Sequence, residues 1–230
     1  MSAQFDVVVI GAGPGGYVSA VHASHLGLNV AVIEKDNPGG VCLNWGCIPS
    51  KNLIHQAEVF HSMKEMEAVG VTVDRSSLNY AKVQENSRGV VKTLTGGVAG
   101  LLKKNNVELI KGTAKITGRG EITVNGEKKI TAKNILVATG SSPMNIPEFE
   151  FDEKVVLSST GILNMKKLPE SLIILGAGAI GCEFAYVMNS FGVKVRAAEK
   201  INFPILGWII ATEFFKIPFP KRRKNTMKAI

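Results

Sequence analysis

Two stretches of this chain repeat one spacing, and that repetition limits its fold more than any other feature. "FDVVVIGAGPGGYVSAVHASHLGLNVAVIEK" and "ESLIILGAGAIGCEFAYVMNSFGVKVRAAEK" each pass from a β-branched apolar run through a glycine turn and a small-residue helix to a second strand. Each closes on a carboxylate: Glu34 lies 23 positions after Gly11, and Glu199 lies 23 after Gly176. The glycines have separate tasks. Gly11 and Gly176 permit a tight turn, Gly13 and Gly178 let the backbone approach a pyrophosphate, and Gly16 and Gly181 let the helix lie close on its strand. The helix start then offers free N–H groups and a positive dipole to phosphate.

A single glycine turn of this type often marks only a loop. Two of them, each after an apolar strand and each ending on a carboxylate placed for a ribose hydroxyl, predict an α/β chain with two Rossmann-like dinucleotide-binding domains, the second incomplete. An acidic residue at the closing position favours a free 2′-hydroxyl over a 2′-phosphate, so the second site should take NAD rather than NADP. The expected boundaries are 1–150 for the first domain, 151–200 for the start of the second, and 201–230 for an atypical tail.

Between the two devices, apolar positions at helical spacing (Leu53, Ile54, Ala57, Phe60, Met63, Met66) predict a helix over 52–69. Residues 78–104 read as a long helix interrupted at "TGGVAG". Short strands are expected in "VELIKGTAKITG", "EITVNG" and "KKITAKNILVATGS", the last ending at a small-residue turn where a ligand could meet backbone or where a plain loop could begin.

The net charge of +8 would suggest nucleic acid or an anionic membrane if it were spread evenly. Residues 1–199 hold 20 Lys and Arg against 18 Asp and Glu, whereas 200–230 hold seven against Glu213 alone. The basicity belongs to the tail, so neither a nucleic-acid nor a membrane partner is expected of the fold. Three cysteines are too few for a secreted disulfide scaffold, and no signal or transit peptide is legible at the start, so a cytoplasmic location is expected.

Two of the three cysteines stand in "GGVCLNWGCIPSKN". The separation of Cys42 and Cys47 does not match CxxC metal spacing, and no second Cys or His pair completes a zinc site. Five positions turn roughly 1.4 times along a helix, so a disulfide would be within reach if the helix is entered irregularly. A reversible dithiol is the better reading; the alternative makes both cysteines small buried hydrophobes. Lys51, four after Cys47, should project from about the same helix face, supporting negative charge on a sulfur or a redox ring, or else stand as a solvated surface charge.

"VVVIGAGPGGYVSA", "GGVCLNWGCIPSK", "ILVATGSSP" and "IILGAGAIGCEFA" follow the order seen in flavin-dependent pyridine nucleotide-disulfide oxidoreductases. Over about residues 4–199 the chain resembles that family, and its cysteine motif looks most like that of the dihydrolipoamide dehydrogenase branch. The resemblance implies FAD and NAD as cofactors and Cys42, Cys47, Lys51 and Glu183 as catalytic residues. Gly11, Gly13, Gly16, Glu34, Gly40, Val41, Gly46, Lys51, Gly112, Ala114, Thr139, Gly140 and Ser141 would hold FAD. Gly176, Gly178, Gly181 and Glu199 would hold NAD. In the implied mechanism a substrate dithiol exchanges with Cys42, Cys47 passes electrons to the flavin, and hydride goes to NAD+. Glu183 would pair with Lys51, and Cys182 is read as packing. The implied partners are a lipoyl carrier domain within a 2-oxo acid dehydrogenase or glycine cleavage complex, and a second copy of the chain, the last doubtful here. The alternatives are a non-catalytic FAD- and NAD-binding module and a related reductase such as mercuric reductase.

The resemblance stops near residue 200. All four histidines (His22, His25, His55, His61) precede residue 62, so no counterpart to the family's C-terminal catalytic histidine is present. The tail carries four of the ten phenylalanines and three prolines, with no third strand expected there. Three readings compete: a truncated or frameshifted product, the leading one; a membrane-surface anchor over 201–212; and a basic contact. Truncation would leave a bare sheet edge, exposed apolar surface, weak FAD retention and no useful dihydrolipoamide oxidation by the chain alone.

Overall fold

In the computed structural model, which describes residues 3–198 and 209–212, the first apolar run becomes strand β1 (Ala3–Ile10). It leads into helix α1 (Pro14–His25) and strand β2 (Val30–Glu34). Helices α2 (Gly40–Trp45), α3 (Cys47–Ser62) and α4 (Tyr80–Lys104) follow, with a 3₁₀ turn at Glu65–Val69. Next come strands β3 (Glu108–Lys111), β4 (Ala114–Gly118), β5 (Glu121–Val124) and β6 (Lys128–Val137).

These six strands form one sheet in the order β3-β2-β1-β6-β5-β4. β3, β2, β1 and β6 are parallel, and β4 and β5 are antiparallel additions. The chain steps outward from β1 to β3 and then returns to the other side of β1 as β6. Ligands in open α/β sheets bind where the strand order reverses in this way, at the carboxyl ends. Ile10, Ile33, Ile110 and Val137 align across the four parallel strands, so those ends form a single rim.

Alternation along the strands explains their continuous hydrophobic runs. Val9, Val30 and Val32 pack on one face with Ala20 of α1, Leu43 of α2, and Val98 and Leu102 of α4. Val8, Ala31 and Ile33 pack on the other face with Ile122, Val124 and Ile130.

Helix α3 begins at Cys47 rather than near residue 52, and α4 runs through Gly96, Gly97 and Gly100 without interruption. The buried stripe Tyr80, Val83, Ser87, Val91, Val98 and Leu102 continues across those glycines. Packing of that stripe outweighs the modest helix penalty of glycine.

The second unit contains β7 (Val156–Leu157), α5 (Ser159–Asn164), β8 (Ser171–Leu175), α6 (Ala179–Ser190) and β9 (Lys194–Ala198). β8 and β9 are parallel. Strand β10 (Ile209–Thr212) pairs antiparallel with both β8 and β7. This corrects the expectation of no third strand, because four tail residues add backbone hydrogen-bonding partners to β8, while among the described residues β9 still pairs on one side only. The rest of the tail and Glu199 lie outside the described residues.

The two units meet through helices. Leu53 and Ala57 of α3 and Tyr80 and Val83 of α4 are buried with Phe184, Val187 and Met188 of α6. Phe191 stacks tilted on Phe60 at 5.3 Å and edge-on to Tyr80 at 5.5 Å. This apolar seam holds α3, which carries Cys47 at its first position, against α6, which carries Glu183.

Candidate functional site

The two glycine turns share one backbone geometry. Gly11 has φ +103° and Gly176 φ +107°, values that favour glycine. Gly13 (−69°, 179°) and Gly178 (−77°, −172°) are both extended N-caps of 12-residue helices. Gly16 and Gly181 are both buried. Around the first turn, space excludes side chains: a Cβ on Gly16 would lie 1.8 Å from the Gly11 carbonyl oxygen, and one on Gly11 would lie 2.3 Å from that of Ala138. Gly11 therefore abuts the turn after β6, where Thr139, Gly140 and Ser141 follow the strand.

Glu34 ends β2 beside that turn. One carboxylate oxygen accepts the Ala12 N–H at 2.7 Å and the other the Asp36 N–H at 2.9 Å. The acidic group is thereby fixed at the rim, with lone pairs remaining for hydroxyl donors. Next along the rim, the Gly112 N–H donates to the Glu34 carbonyl at 2.9 Å, and Ala114 opens β4. Gly112 has φ +153° and packs closely against Val124 and Asn125.

The cysteine segment is tied to the same turn. The Gly39 N–H donates to the Ala12 carbonyl at 2.8 Å, and a Cβ on Gly40 would lie 2.6 Å from the Gly13 Cα. From there Val41 is exposed, Cys42 half-buried and Cys47 exposed. The chain breaks its helix at Gly46, which caps α2 at one end and α3 at the other. That break is the irregular helix entry expected for a thiol pair. The exposure of Cys47 argues against reading both cysteines as buried hydrophobes. Burial, then the hydrogen bond and charge of Cys47, push the Cys42 thiol up to about 11, against an opposing effect from Lys51.

Lys51 Nζ donates to Glu183 Oε1 at 2.8 Å, joining α3 to α6. The Glu183 hydrogen bond raises the Lys51 pKa, and the charges of both cysteines act in the same direction. Cys182 is exposed, and its thiol donates to the Ala177 carbonyl inside the second glycine turn, so it is not the packing residue expected from sequence.

Sequence reasoning passed over Asn44 and Arg88. Asn44 is buried, and its side-chain amide reaches the carbonyls of Asn37, Pro38 and Gly40. Its place between the cysteines was a usable signal. Arg88 reaches the segment from α4, 44 residues away, and no local pattern marks it.

Among the described residues no cluster of three His, Cys, Asp or Glu could hold a metal ion, and no helix is long and apolar enough to cross a membrane.

Comparison with known proteins bears on this arrangement. The family described as pyridine nucleotide-disulphide oxidoreductase matches residues 5–206. The dihydrolipoyl dehydrogenase of Geobacillus stearothermophilus is 46% identical over 199 residues, covering 85% of this chain and 42% of the relative. That of Acholeplasma laidlawii is 42% identical over 207 residues, covering 88% of this chain and 61% of the relative. The chain thus spans less than two thirds of these relatives' length. Among solved structures, the HOCl-induced flavoprotein disulfide reductase RclA from Escherichia coli superposes with a TM-score of 0.71 at 32% identity, covering 84% of this chain and 41% of that one. With the paired glycine turns, the thiol pair and these matches together, the chain belongs to the pyridine nucleotide-disulphide oxidoreductase family.

Proposed function

We propose that this chain carries the flavin- and disulfide-bearing part of a dihydrolipoyl dehydrogenase-type oxidoreductase, using FAD and NAD. The observation that carries the reading is the thiol pair lying between two glycine turns, with Lys51 of the thiol helix bonded to Glu183 of the second unit at 2.8 Å.

The residues present suit FAD. The Gly13 and Gly40 backbones approach so closely that a Cβ on Gly40 would lie 2.6 Å from the Gly13 Cα, and the N-terminus of α1 beside them favours phosphate. Gly11 and Gly16 keep turn, strand and helix in backbone contact, Glu34 would offer its carboxylate to a ribose, and Gly112, Ala114, Thr139, Gly140 and Ser141 would adjoin the cofactor along the rim. Leu136 and Val137 are exposed at the strand reversal, and Val137 is 60% accessible, apolar surface that a flat ring system would cover. Val41, Gly46 and Lys51 would adjoin the flavin on the thiol side. Gly176, Gly178 and Gly181 provide the equivalent turn for NAD, with Glu199 as its ribose carboxylate. When bound, the flavin accepts two electrons from thiols and delivers them as hydride to NAD+.

The protein's own steps are thiol exchange and charge placement. A substrate dithiol, as its thiolate, attacks Cys42 in the Cys42–Cys47 disulfide; the sulfur–sulfur bond breaks and Cys47 leaves as thiolate. The second substrate thiol, losing its proton, displaces Cys42, which takes up a proton as the substrate closes its own disulfide. Two electrons have then passed from substrate to the protein's sulfurs. Lys51, held by Glu183, keeps a positive charge beside both sulfurs through this exchange. A lipoyl group on a carrier domain of a 2-oxo acid dehydrogenase complex is the substrate class that fits.

The test is an FAD titration of the purified chain followed by stepwise dithionite reduction, in the parent and in C42S, C47S and K51M. One FAD per chain is expected, with a long-wavelength absorbance band at half-reduction that C47S abolishes, C42S keeps and K51M weakens. A chain that binds no FAD, or a band indifferent to C47S, overturns the proposal.

A further inference from the structure

We propose that Arg88 is a positioning residue for the Cys42–Cys47 pair, pinning the end of α2 from α4 and so fixing the break at Gly46 across which the two thiols exchange. The inference rests on the dithiol reading above. Arg88 Nη1 donates to the Asn44 carbonyl at 2.6 Å, and its guanidinium lies 4.3 Å from the centroid of the Trp45 ring. The Asn44 carbonyl belongs to the last turn of a six-residue helix and has no acceptor role within it. Trp45 is the residue immediately before the break.

The neighbouring residue grips the other side. Ser87, buried, donates its hydroxyl to the Pro49 carbonyl in the first turn of α3 at 3.2 Å. Two consecutive residues of one long helix thus hold positions 44–45 and 49, and Gly46 and Cys47 lie between these anchors. Neither Arg88 nor Ser87 is bonded to a sulfur. Burial lowers the Arg88 pKa, consistent with a guanidinium partly withdrawn from water, where both of its contacts strengthen. A planar fork that donates and stacks at once is a geometry lysine cannot reproduce.

Fixing the break preorganises ring closure. With oxidised dithiothreitol as the oxidant, Cys42 and Cys47 thiols become a disulfide and dithiothreitol is released as its dithiol, two electrons and two protons moving to the reagent. Loosening the break leaves the dithiol unchanged but makes closure less favourable, so the equilibrium constant falls. The purified chain is equilibrated across dithiothreitol ratios, quenched, alkylated and weighed by mass spectrometry. R88M should lower the constant at least about tenfold, the low end for one charge-assisted hydrogen bond, with the cation–π contact adding to it. R88K should recover part of it, and W45L, which keeps the hydrogen bond, should lose part. R88M within about twofold of the parent overturns the proposal. If R88M does not fold, W45L and R88K decide by the same criterion. A parent chain that forms no Cys42–Cys47 disulfide overturns the dithiol reading instead. Hydrogen exchange at the Ser50 amide, which donates to the Gly46 carbonyl at 3.0 Å, then judges Arg88 alone. Faster exchange in R88M or R88K supports the positioning role, and unchanged exchange overturns it.

Discussion

Adjacent glycines in the first turn of α1 should respond to alanine with opposite sign. A Cβ on Gly16 would stand 1.8 Å from the Gly11 carbonyl oxygen, 2.9 Å from its carbon and 3.4 Å from Val9 Cγ1. Cβ contacts under 3.0 Å essentially never occur, so helix and turn must separate by at least the difference, about 1.2 Å. The atoms in the way are backbone, so no rotamer change relieves the clash. Overpacking of this kind costs about 3 kcal/mol. In a chain of this size that lowers the melting temperature by about 6–12 °C. A Cβ on Gly15 meets nothing within 4 Å, so Gly15→Ala gains helix propensity, about 0.5–1 kcal/mol, and should melt slightly higher. Differential scanning calorimetry of the FAD-free chain isolates the packing effect from any ligand. Gly16→Ala melting within about 2 °C of the parent would refute close helix–strand packing as the reason for glycine there.

Two further outcomes follow from other parts of the fold. Gly96 and Gly97 lie inside α4 with open space where a Cβ would go, so each alanine substitution should stabilise by about 0.5–1 kcal/mol, and a loss in the urea midpoint would mean the helix is not continuous there. For Cys42, the folded value of about 11 stands above the ordinary thiol value of 9.0, so the fold prefers the neutral thiol. Its contribution to stability is fully present below about pH 9 and is lost as pH rises through about 11, because the unfolded chain ionises first. In the reduced chain, urea midpoints should therefore fall less steeply over that window in C42S than in the parent, and identical profiles would contradict burial of Cys42.

Much of the fold was legible because its signals are local. Apolar runs marked β1, β2 and the three segments that hold the four strands from Glu108 to Val137, and the glycine spacing located both turns. The uninterrupted α4 was missed, since three glycines within five residues read as a breaker. The buried stripe on either side of them is decided by contacts with other elements. Strand β10 was missed for a related reason: a short apolar run in an irregular tail carries no sign of the partner it will find in β8 and β7. Cys182, to which the resemblance gave no redox role, was read as packing, yet it is exposed and its thiol is bonded within the second turn.

For the site, sequence by itself determined the residue types and their spacing: two glycine turns, two thiols five apart, a lysine one helical turn beyond, and a carboxylate after the second turn. These are short-range features, dictated by backbone geometry that a few neighbouring residues enforce. Tertiary structure alone decided which of them meet. The apolar seam of α3, α4 and α6 brings Lys51 to Glu183 across 132 residues, and α4 places Arg88 and Ser87 on either side of the Gly46 break. Such meetings depend on how helices bury their faces against one another, and that packing is a property of the whole assembled core.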